Sequence, residues 1–364
     1  MKYFVDEKFV DSRGRRNATS KAREDVRRIL EAGNYVPIEI SPHFDENGEN
    51  GSLLEKVRRH RRVARDWQER LAGVPAENEL VVQFPPSEQS LFLPTVFKGL
   101  SKRGVRLVLV LHDLESLRLS IAQGETWTKR SKGLKLESAA IAAASQIVVH
   151  NEQMRARLES LGVPGDKLVP LGIFDYLVPG YDASRMAARE LAYDLPLIVA
   201  GNLTREKAAY LYDLPDAVEL NLYGNGFDET DGIAPNLHLQ GSFPPNDLPY
   251  ELTGSFGLVW DGETSHGCSG VFGEYLRINN PHKTSLYLSS GIPVAIWSGA
   301  ALADFVIEHR CGIAVDDVAD IQRVVAKLGP AGYQELQTNA ERIGLQLRNG
   351  RYLTSALALA ESRL

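Results

Sequence analysis

Several stretches of this sequence carry side chains in patterns suited to phosphate chemistry or proton transfer. In AGNLTREKAAY (200–210) an apolar run ends at Gly201-Asn202 and a helical pattern begins near Thr204. Thr204 suits an N-cap, which puts Arg205 and Lys207 in the first turn or so, at the positive end of the helix. A guanidinium beside free N–H groups suits a phosphate, which it can grip with two parallel hydrogen bonds. NNPHKTSLYLSSGIPVAIW (279–297) repeats the theme. Asn280 suits an N-cap, Pro281 the first helical position and Gly291 the C′ stop. Yet His282 and Lys283 fill the first turn, where the helix dipole favours negative charge. A bound anion would explain the choice. VWDGETSHGCSGVFGEYLRINNPHK (259–283) leads into that helix through a Gly- and Ser-rich loop of the kind that wraps phosphates.

Two weaker signals accompany these. LYGNGFDE (222–229) sets a GxG after a strand, but position 229 is Glu229 where a dinucleotide fingerprint needs glycine, so a plain turn explains it equally well. Tyr223, at that strand's end, is a candidate to stack on a base. VLHDLESLR (110–118) sets His112 and Asp113 at the end of the strongest strand of the first half, where a general base would sit. Each motif alone has a bland alternative: a surface helix with a stray arginine, a surface loop, a helix cap. Three ligand-like junctions in one half, at 202, 224 and 262–283, are harder to assign to accident.

Such junctions require strands that end at one edge of a sheet. The pattern supplies them. Strands are expected at 2–6, 35–40, 79–85, 105–113, 146–151 and 167–172, separated by helical stretches at 19–32, 52–72, 87–103, 134–144 and 152–161. Residues 173–193 break the rhythm and read as a linker. The alternation restarts with strands at 194–202, 219–226, 237–242, 256–262, 292–297 and 313–317. Helices are expected at 204–214, 246–254, 280–290 and 298–312, with a mainly helical tail from 318. Strands alternating with helices make parallel sheets covered on both faces. The expectation is an α/β chain of two doubly wound domains, 1–173 and 194–345, with a C-terminal helix at 346–364 packing back on the first. Ligands in such sheets bind outside the carboxyl ends of the strands, so a cleft between the domains is the expected site.

Bulk properties narrow the class. The 364 residues suffice for two cores, and the net charge of −6 argues against nucleic acid as the main partner. The two cysteines, Cys268 and Cys311, form no metal-type spacing and suit a reducing, cytoplasmic compartment. No apolar run approaches the ~20 residues that span a bilayer. Residues 56–70, KVRRHRRVARDWQER, hold seven Lys or Arg against two acids. That suits docking on anionic lipid headgroups, with a solvated face or a homo-oligomer contact as the bland alternatives. There is no P-loop, HExxH or GxSxG, and no Asp-x-Asp at a strand end to hold a metal diphosphate; the DETD at 228–231 looks like a turn.

At this point FGLVWDGE and GEYLRINNPHKTSLYLSSGIPVAIWSGAALADFVIEHRCGIAVDD (273–317) resemble bacterial sugar transferases of the two-domain GT-B fold. The group is the one holding β-1,6-galactofuranosyltransferases and the glucosyltransferase that extends glycans on streptococcal adhesins. AGNLTREKAAYLYDLP (200–215) and VLHDLESLR resemble the same group. The resemblance implies a UDP-sugar as donor substrate; with no Asp-x-Asp to hold a metal diphosphate, a mechanism without a metal or separate cofactor is expected. It implies that Arg205 and Lys283 contact the diphosphate, that Tyr223 lies next to the uracil, and that Thr19 or Asn17 approaches the nucleotide from the loop after strand one. Asn202, Thr204 and Asn280 flank these positions and complete the expected donor site. Asp113, with His112 beside it, is the expected base, chosen by position. The expected reaction moves a hexosyl group, galactofuranose or glucose, to a glycan or lipid-linked acceptor at the inner face of the plasma membrane. A UDP-sugar epimerase and a non-catalytic nucleotide-sugar binder are the alternatives.

Overall fold

The run RLVLVL at 106–111 is apolar at alternate and intervening positions alike, and all but its first residue are buried. Only a strand covered on both faces has that composition. It is β4 of a six-stranded parallel sheet. The structure, a computed structural model, describes residues 1–8, 18–41, 52–88, 90–122, 132–230 and 232–364. The chain divides into two units: residues 1–15, 26–171 and 354–364 in the first, residues 16–25 and 172–353 in the second.

In the first unit the strands are β1 (Lys2–Glu7), β2 (Val36–Ile40), β3 (Glu79–Phe84), β4 (Arg106–Leu111), β5 (Gln146–Val149) and β6 (Leu168–Pro170). Helices α1 (Ala18–Ala32), α2 (Leu53–Arg70), α3 (Leu93–Lys102), α4 (Glu115–Ala122), α5 (Lys132–Ala143) and α6 (Glu152–Ser160) alternate with them. The sheet order is β2-β1-β3-β4-β5-β6. Ser52 and Glu55 form a reciprocal capping box at the start of α2. The helix expected from residue 87 begins only at Leu93, because Pro94 is tolerated in a first turn and not in a helix interior.

The second unit runs α7 (Ala183–Ala187), β7 (Leu197–Asn202), α8 (Arg205–Ala208), β8 (Leu220–Asn225), β9 (Leu237–Gly241), α9 (Leu248–Glu251), β10 (Gly257–Val259), α10 (Gly270–Tyr275), α11 (His282–Ser289), β11 (Val294–Trp297), α12 (Ala303–Glu308), β12 (Gly312–Val315) and α13 (Asp320–Arg348); α14 (Arg351–Ser362) follows, and from residue 354 on it belongs to the first unit. Its parallel sheet has the order β12-β11-β10-β7-β8-β9. Within α13, Gly329 takes φ +64 ahead of Pro330, so two helical segments meet there.

Three expectations change. The linker contains a helix, α7, whose start is capped by Asp182 accepting the N–H groups of Ser184 and Arg185. The loop after β10 contains α10. The helix expected over 204–214 stops at Ala208 and tightens into a 3₁₀ turn over Ala209–Tyr212. The cause is tertiary: Gly262 donates its N–H to the Lys207 carbonyl at 2.8 Å, and its own carbonyl accepts from Tyr210 at 3.2 Å. Those backbone groups would otherwise serve a continuing helix.

Helix α11 carries the geometry of the second unit. It is buried on nearly all sides and ends in a Schellman turn, with Gly291 at φ +70 and Ile292 N–H bonded to the Tyr287 carbonyl. The carbonyls of Ser289 and Ser290 accept from Arg348 and Arg189, cations at the negative end of the helix. Tyr287 lies flat against Gly257, where a Cβ would come within 2.1 Å of its ring, and its hydroxyl accepts the Ala200 N–H of β7 at 2.8 Å. One helix thus spans β10 and is pinned to β7.

Asp175 caps α14 from a distance, accepting the N–H groups of Tyr352 (3.1 Å) and Leu353 (2.7 Å). Burial pushes its carboxyl up to about 7, against those two bonds. A carboxyl raised in the folded state stabilises it most below its unfolded pKa near 4, and that contribution is lost as pH rises through about 7. Asp175→Asn keeps one of the two acceptor oxygens and cannot ionise, so a pH-independent loss from the second bond is expected beneath the pH-dependent part. Its stability relative to the parent, measured by urea unfolding, should rise between pH 4 and pH 8 by about 2–4 kcal/mol. A difference independent of pH would show that Asp175 is ionised throughout.

Candidate functional site

In a doubly wound sheet the crevice opens where the chain reverses its direction of winding. In the second unit that point lies between β7 and β10, and the residues beyond their carboxyl ends are Asn202 onward and Trp260 onward. Asn202 Oδ1 accepts the Thr204 N–H at 3.0 Å, forming an Asx turn that starts α8. Thr204 sits at the cap position, but its side chain makes no capping bond; its carbonyl accepts from Lys207 and Ala208.

Arg205 follows at the first position of α8. Its guanidinium stacks on the Tyr212 ring, 3.9 Å from the centroid, and lies 3.6 Å from the Asp228 carboxylate. Tyr212 is fixed in turn. It accepts the Asp228 N–H at 2.7 Å and stacks face to face with Phe227, with centroids 5.0 Å apart. The arginine remains about half exposed. An exposed guanidinium held from behind by a ring presents its fork outward, which suits an anionic ligand. The glycines of the GNG turn permit the close packing here. A Cβ at Gly224 would lie 1.9 Å from the Gly201 carbonyl oxygen, and one at Gly226 would lie 2.6 Å from the Thr204 methyl.

Lys283, in the first turn of α11, is buried. Its ammonium donates to the Trp260 carbonyl at 2.9 Å and to Asp261 at 2.8 Å. Lys207 of α8 lies 3.9 Å from the other Asp261 oxygen. Burial lowers the Lys283 pKa and Lys207 adds to that, while Asp261 opposes both. The cation at this helix start therefore has a protein counter-ion, which sequence patterns did not reveal. Its neighbour His282 is not a cation at all: burial, helped by nearby Lys21, holds it down to about 3, so it is neutral near pH 7. Lys21 is itself buried, paired with Asp25 and bonded to the Leu177 carbonyl at 2.6 Å.

Other expected site residues fall differently. Asn280 does not cap α11; Pro281 takes that position, and Asn280 Nδ2 reaches the Gly172 carbonyl at 3.1 Å. Tyr223 is 3% exposed and packs against Phe243, with its hydroxyl bonded to the Thr253 N–H and hydroxyl. That leaves no open ring face for a base, so the structure gives Tyr223 a packing role. Thr19 lies in the first turn of α1 with its side chain outside the described residues, as are Asn17 and Asp231. In the first unit, His112 is buried and bonded through Nε2 to Gln83 Oε1 at 2.8 Å, while Asp113 is exposed just beyond β4. Burial lowers the pKa of His150 nearby, and the Asp113 carboxylate pulls it the other way. The structure thus gathers Asn202, Thr204, Arg205, Lys207 and Lys283 at one switch point, and sets Asp113 and His112 at a strand end of the first unit.

Comparison with known proteins places this geometry in a family. The models of the N-terminal and C-terminal domains of Glucosyltransferase 3-like proteins match residues 3–173 and 197–360. The chain belongs to the glucosyltransferase 3-like family. It is 31% identical over 346 residues to the beta-1,6-galactofuranosyltransferase WbbI of Escherichia coli K12, covering 94% of each chain. It is 26% identical over 212 residues to Glucosyltransferase 3 of Streptococcus gordonii, covering 58% of this chain and 60% of that one. Sucrose-phosphate synthase from Thermosynechococcus elongatus shares the fold, with a TM-score of 0.62 at 15% identity over 99% of this chain and 98% of that one. The glucosyltransferase 3-like protein is therefore a glycosyltransferase with the GT-B fold.

The Lys283–Asp261 pair makes a stability prediction. Lys283→Met should leave a buried carboxylate with only the more distant Lys207 and cost about 2–4 kcal/mol. Adding Asp261→Asn to that variant should restore part of the loss, because no charge then remains stranded. A Lys283→Met protein as stable as the parent in chemical denaturation would contradict the pairing.

Proposed function

We propose that the glucosyltransferase 3-like protein transfers a hexosyl group, galactofuranose or glucose, from a UDP-sugar to a hydroxyl of a glycan or lipid-linked sugar. The observation that supports the donor class is the set of cations at the β7/β10 switch point: Arg205 held by Tyr212, and Lys283 and Lys207 held around Asp261. Negative charge builds on the diphosphate as the bond to the sugar breaks, and fixed cations that need no reorganisation stabilise it. The acceptor hydroxyl attacks the anomeric carbon, UDP departs with the bonding electrons, and the hydroxyl proton goes to a base. Asp113 is the base in this reading, with His112 beside it. The charge on the leaving group is met by side chains and N–H groups at helix starts, without a metal.

The finer partner is a membrane. Among the described residues no helix is long and apolar enough to cross one. Helix α2 instead carries Leu54, Arg58, Arg61 and Arg65 at spacings of four, three and four, on the side opposite the buried Val63 and Trp67. Leu53 and Leu54, 79% and 70% exposed, head this stripe. An apolar pair beside a row of arginines matches the boundary between acyl chains and anionic headgroups. The acceptor would then be met at the inner face of the plasma membrane.

Two measurements test these readings. With a panel of UDP-sugars, UDP release should require an acceptor; Arg205→Ala should raise donor KM on the order of tenfold, and Asp113→Asn should lower kcat roughly 10²–10⁴-fold. Acceptor-independent release would favour an epimerase, and binding of UDP without turnover of any donor would favour a non-catalytic binder. In flotation assays the protein should bind vesicles containing phosphatidylglycerol and not pure phosphatidylcholine, and Arg58→Glu with Arg61→Glu should abolish that. Self-association through this face, with no vesicle binding, would replace the membrane by a second copy.

A further inference from the structure

We propose that Asp261 is the positioning residue of the donor site: its carboxylate is the shared counter-ion that holds Lys283 and Lys207 together at the β7/β10 switch point and keeps Lys283 charged. This rests on the reading of that point as the diphosphate site.

The geometry is built rather than incidental. Asp261 is 5% exposed, and its two oxygens serve two different helices: one takes Lys283 of α11 at 2.8 Å, the other faces Lys207 of α8 at 3.9 Å. Each partner is placed by independent constraints. Lys283 lies one turn before Tyr287, which is fixed against Gly257 and Ala200. Lys207 is carried by a stretch whose backbone pairs with Gly262, the residue following Asp261. Gly262 has φ +116, and a Cβ there would lie 2.2 Å from the Ser269 carbonyl oxygen, so only glycine fits the turn that brings these groups together.

Lys207 repels the Lys283 ammonium, and burial adds to the cost of charge on Lys283. The Asp261 carboxylate opposes both. Among the described residues, Tyr210, Tyr287 and Cys268 also face it, and burial raises the pKa of each, so they stay neutral and carry no charge to balance the lysines. A diphosphate entering the site would meet a lysine pair with one carboxylate among them, a net positive charge with its cations already oriented. Asp261 would touch no reacting atom; it acts through Lys283 and Lys207.

The test is the pH dependence of donor use. Asp261→Asn keeps the shape and removes the charge. In the parent, kcat/KM for the UDP-sugar should fall on the alkaline side as Lys283 loses its proton. In Asp261→Asn that limb should move to lower pH by about one to three units, the size of a close opposite charge. Lys207→Gln removes the repulsive neighbour and should move it the other way. Affinity for UDP alone, measured by calorimetry at each pH, should follow the same shifts. If Asp261→Asn folds, is less stable, and keeps the parent's pH profile, Asp261 is only a structural counter-ion and the proposal fails. If Asp261→Asn does not fold, Lys207→Gln decides: an unchanged or downward-moving limb overturns the proposal. A parent protein that binds no UDP at any pH would instead remove the donor-site reading beneath it.

Discussion

The site in the second unit depends on how closely α11 approaches its sheet. A helix normally stands about 10 Å from a strand layer because side chains fill the gap. Here Gly257 supplies none, and Tyr287 occupies the space a Cβ would need, with its hydroxyl on the Ala200 N–H. The other side is equally tight: a Cβ at Gly344 of α13 would lie 2.3 Å from the Leu288 carbonyl oxygen. A helix clamped between two such contacts cannot slide or roll without a clash. Lys283, one turn before Tyr287, therefore has a fixed aim, past the end of β10 at Trp260 and Asp261. The serines of this helix fit the same constraint. Small, and bonded through Ser285 to the Phe174 carbonyl and through Ser289 and Ser290 to the Leu286 carbonyl, they let it be buried on nearly all sides with their own hydroxyls satisfied, while the neighbouring Thr284 hydroxyl is buried without a partner among the described residues.

The protein holds its two main cations by different means. Lys283 is buried and needs a carbonyl and a carboxylate to stay charged. Arg205 is half exposed and is aimed by Tyr212 and Asp228. A buried ion pair is weak support for stability, since an apolar pair of similar volume often serves as well. Its presence at a switch point, rather than in the core of either sheet, points to use. The neutral His282 fits this economy of charge: a protonated imidazole beside Lys21 and Lys283 would add a third cation to the same helix start.

Most of the fold was legible in the sequence because its central strands are apolar on both faces and its helices are not. RLVLVL, QIVV and VAIW announce buried parallel strands, and Gly291 announces the end of α11. The failures share one cause. The early end of α8 is set by Gly262, more than fifty residues away; the burial of Tyr223 by Thr253, thirty residues away; and the true partner of Lys283 by Asp261 at the end of another strand. Local pattern carries no information about such partners. Four glycines within residues 262–273 read as loop, yet α10 begins inside that stretch: Gly270 takes φ +70 at its start, and a Cβ at Gly273 would strike the Cys268 backbone.

The same distinction separates what was legible of the site from what was not. The cations were visible, because a basic residue at a helix start runs against the dipole and asks for a reason. The aromatic and acidic groups that aim them were not, because a tyrosine after a helix or an aspartate after a strand looks ordinary. The sequence could therefore pose the question of Lys283 and suggest an anion as its answer. The structure supplies an anion from the protein itself, which changes the question. A lysine held by Asp261 does not wait for a phosphate to justify its charge; in the donor-site reading proposed above it is in place beforehand, so that a diphosphate would meet oriented cations and little of the binding energy would be spent on arranging them.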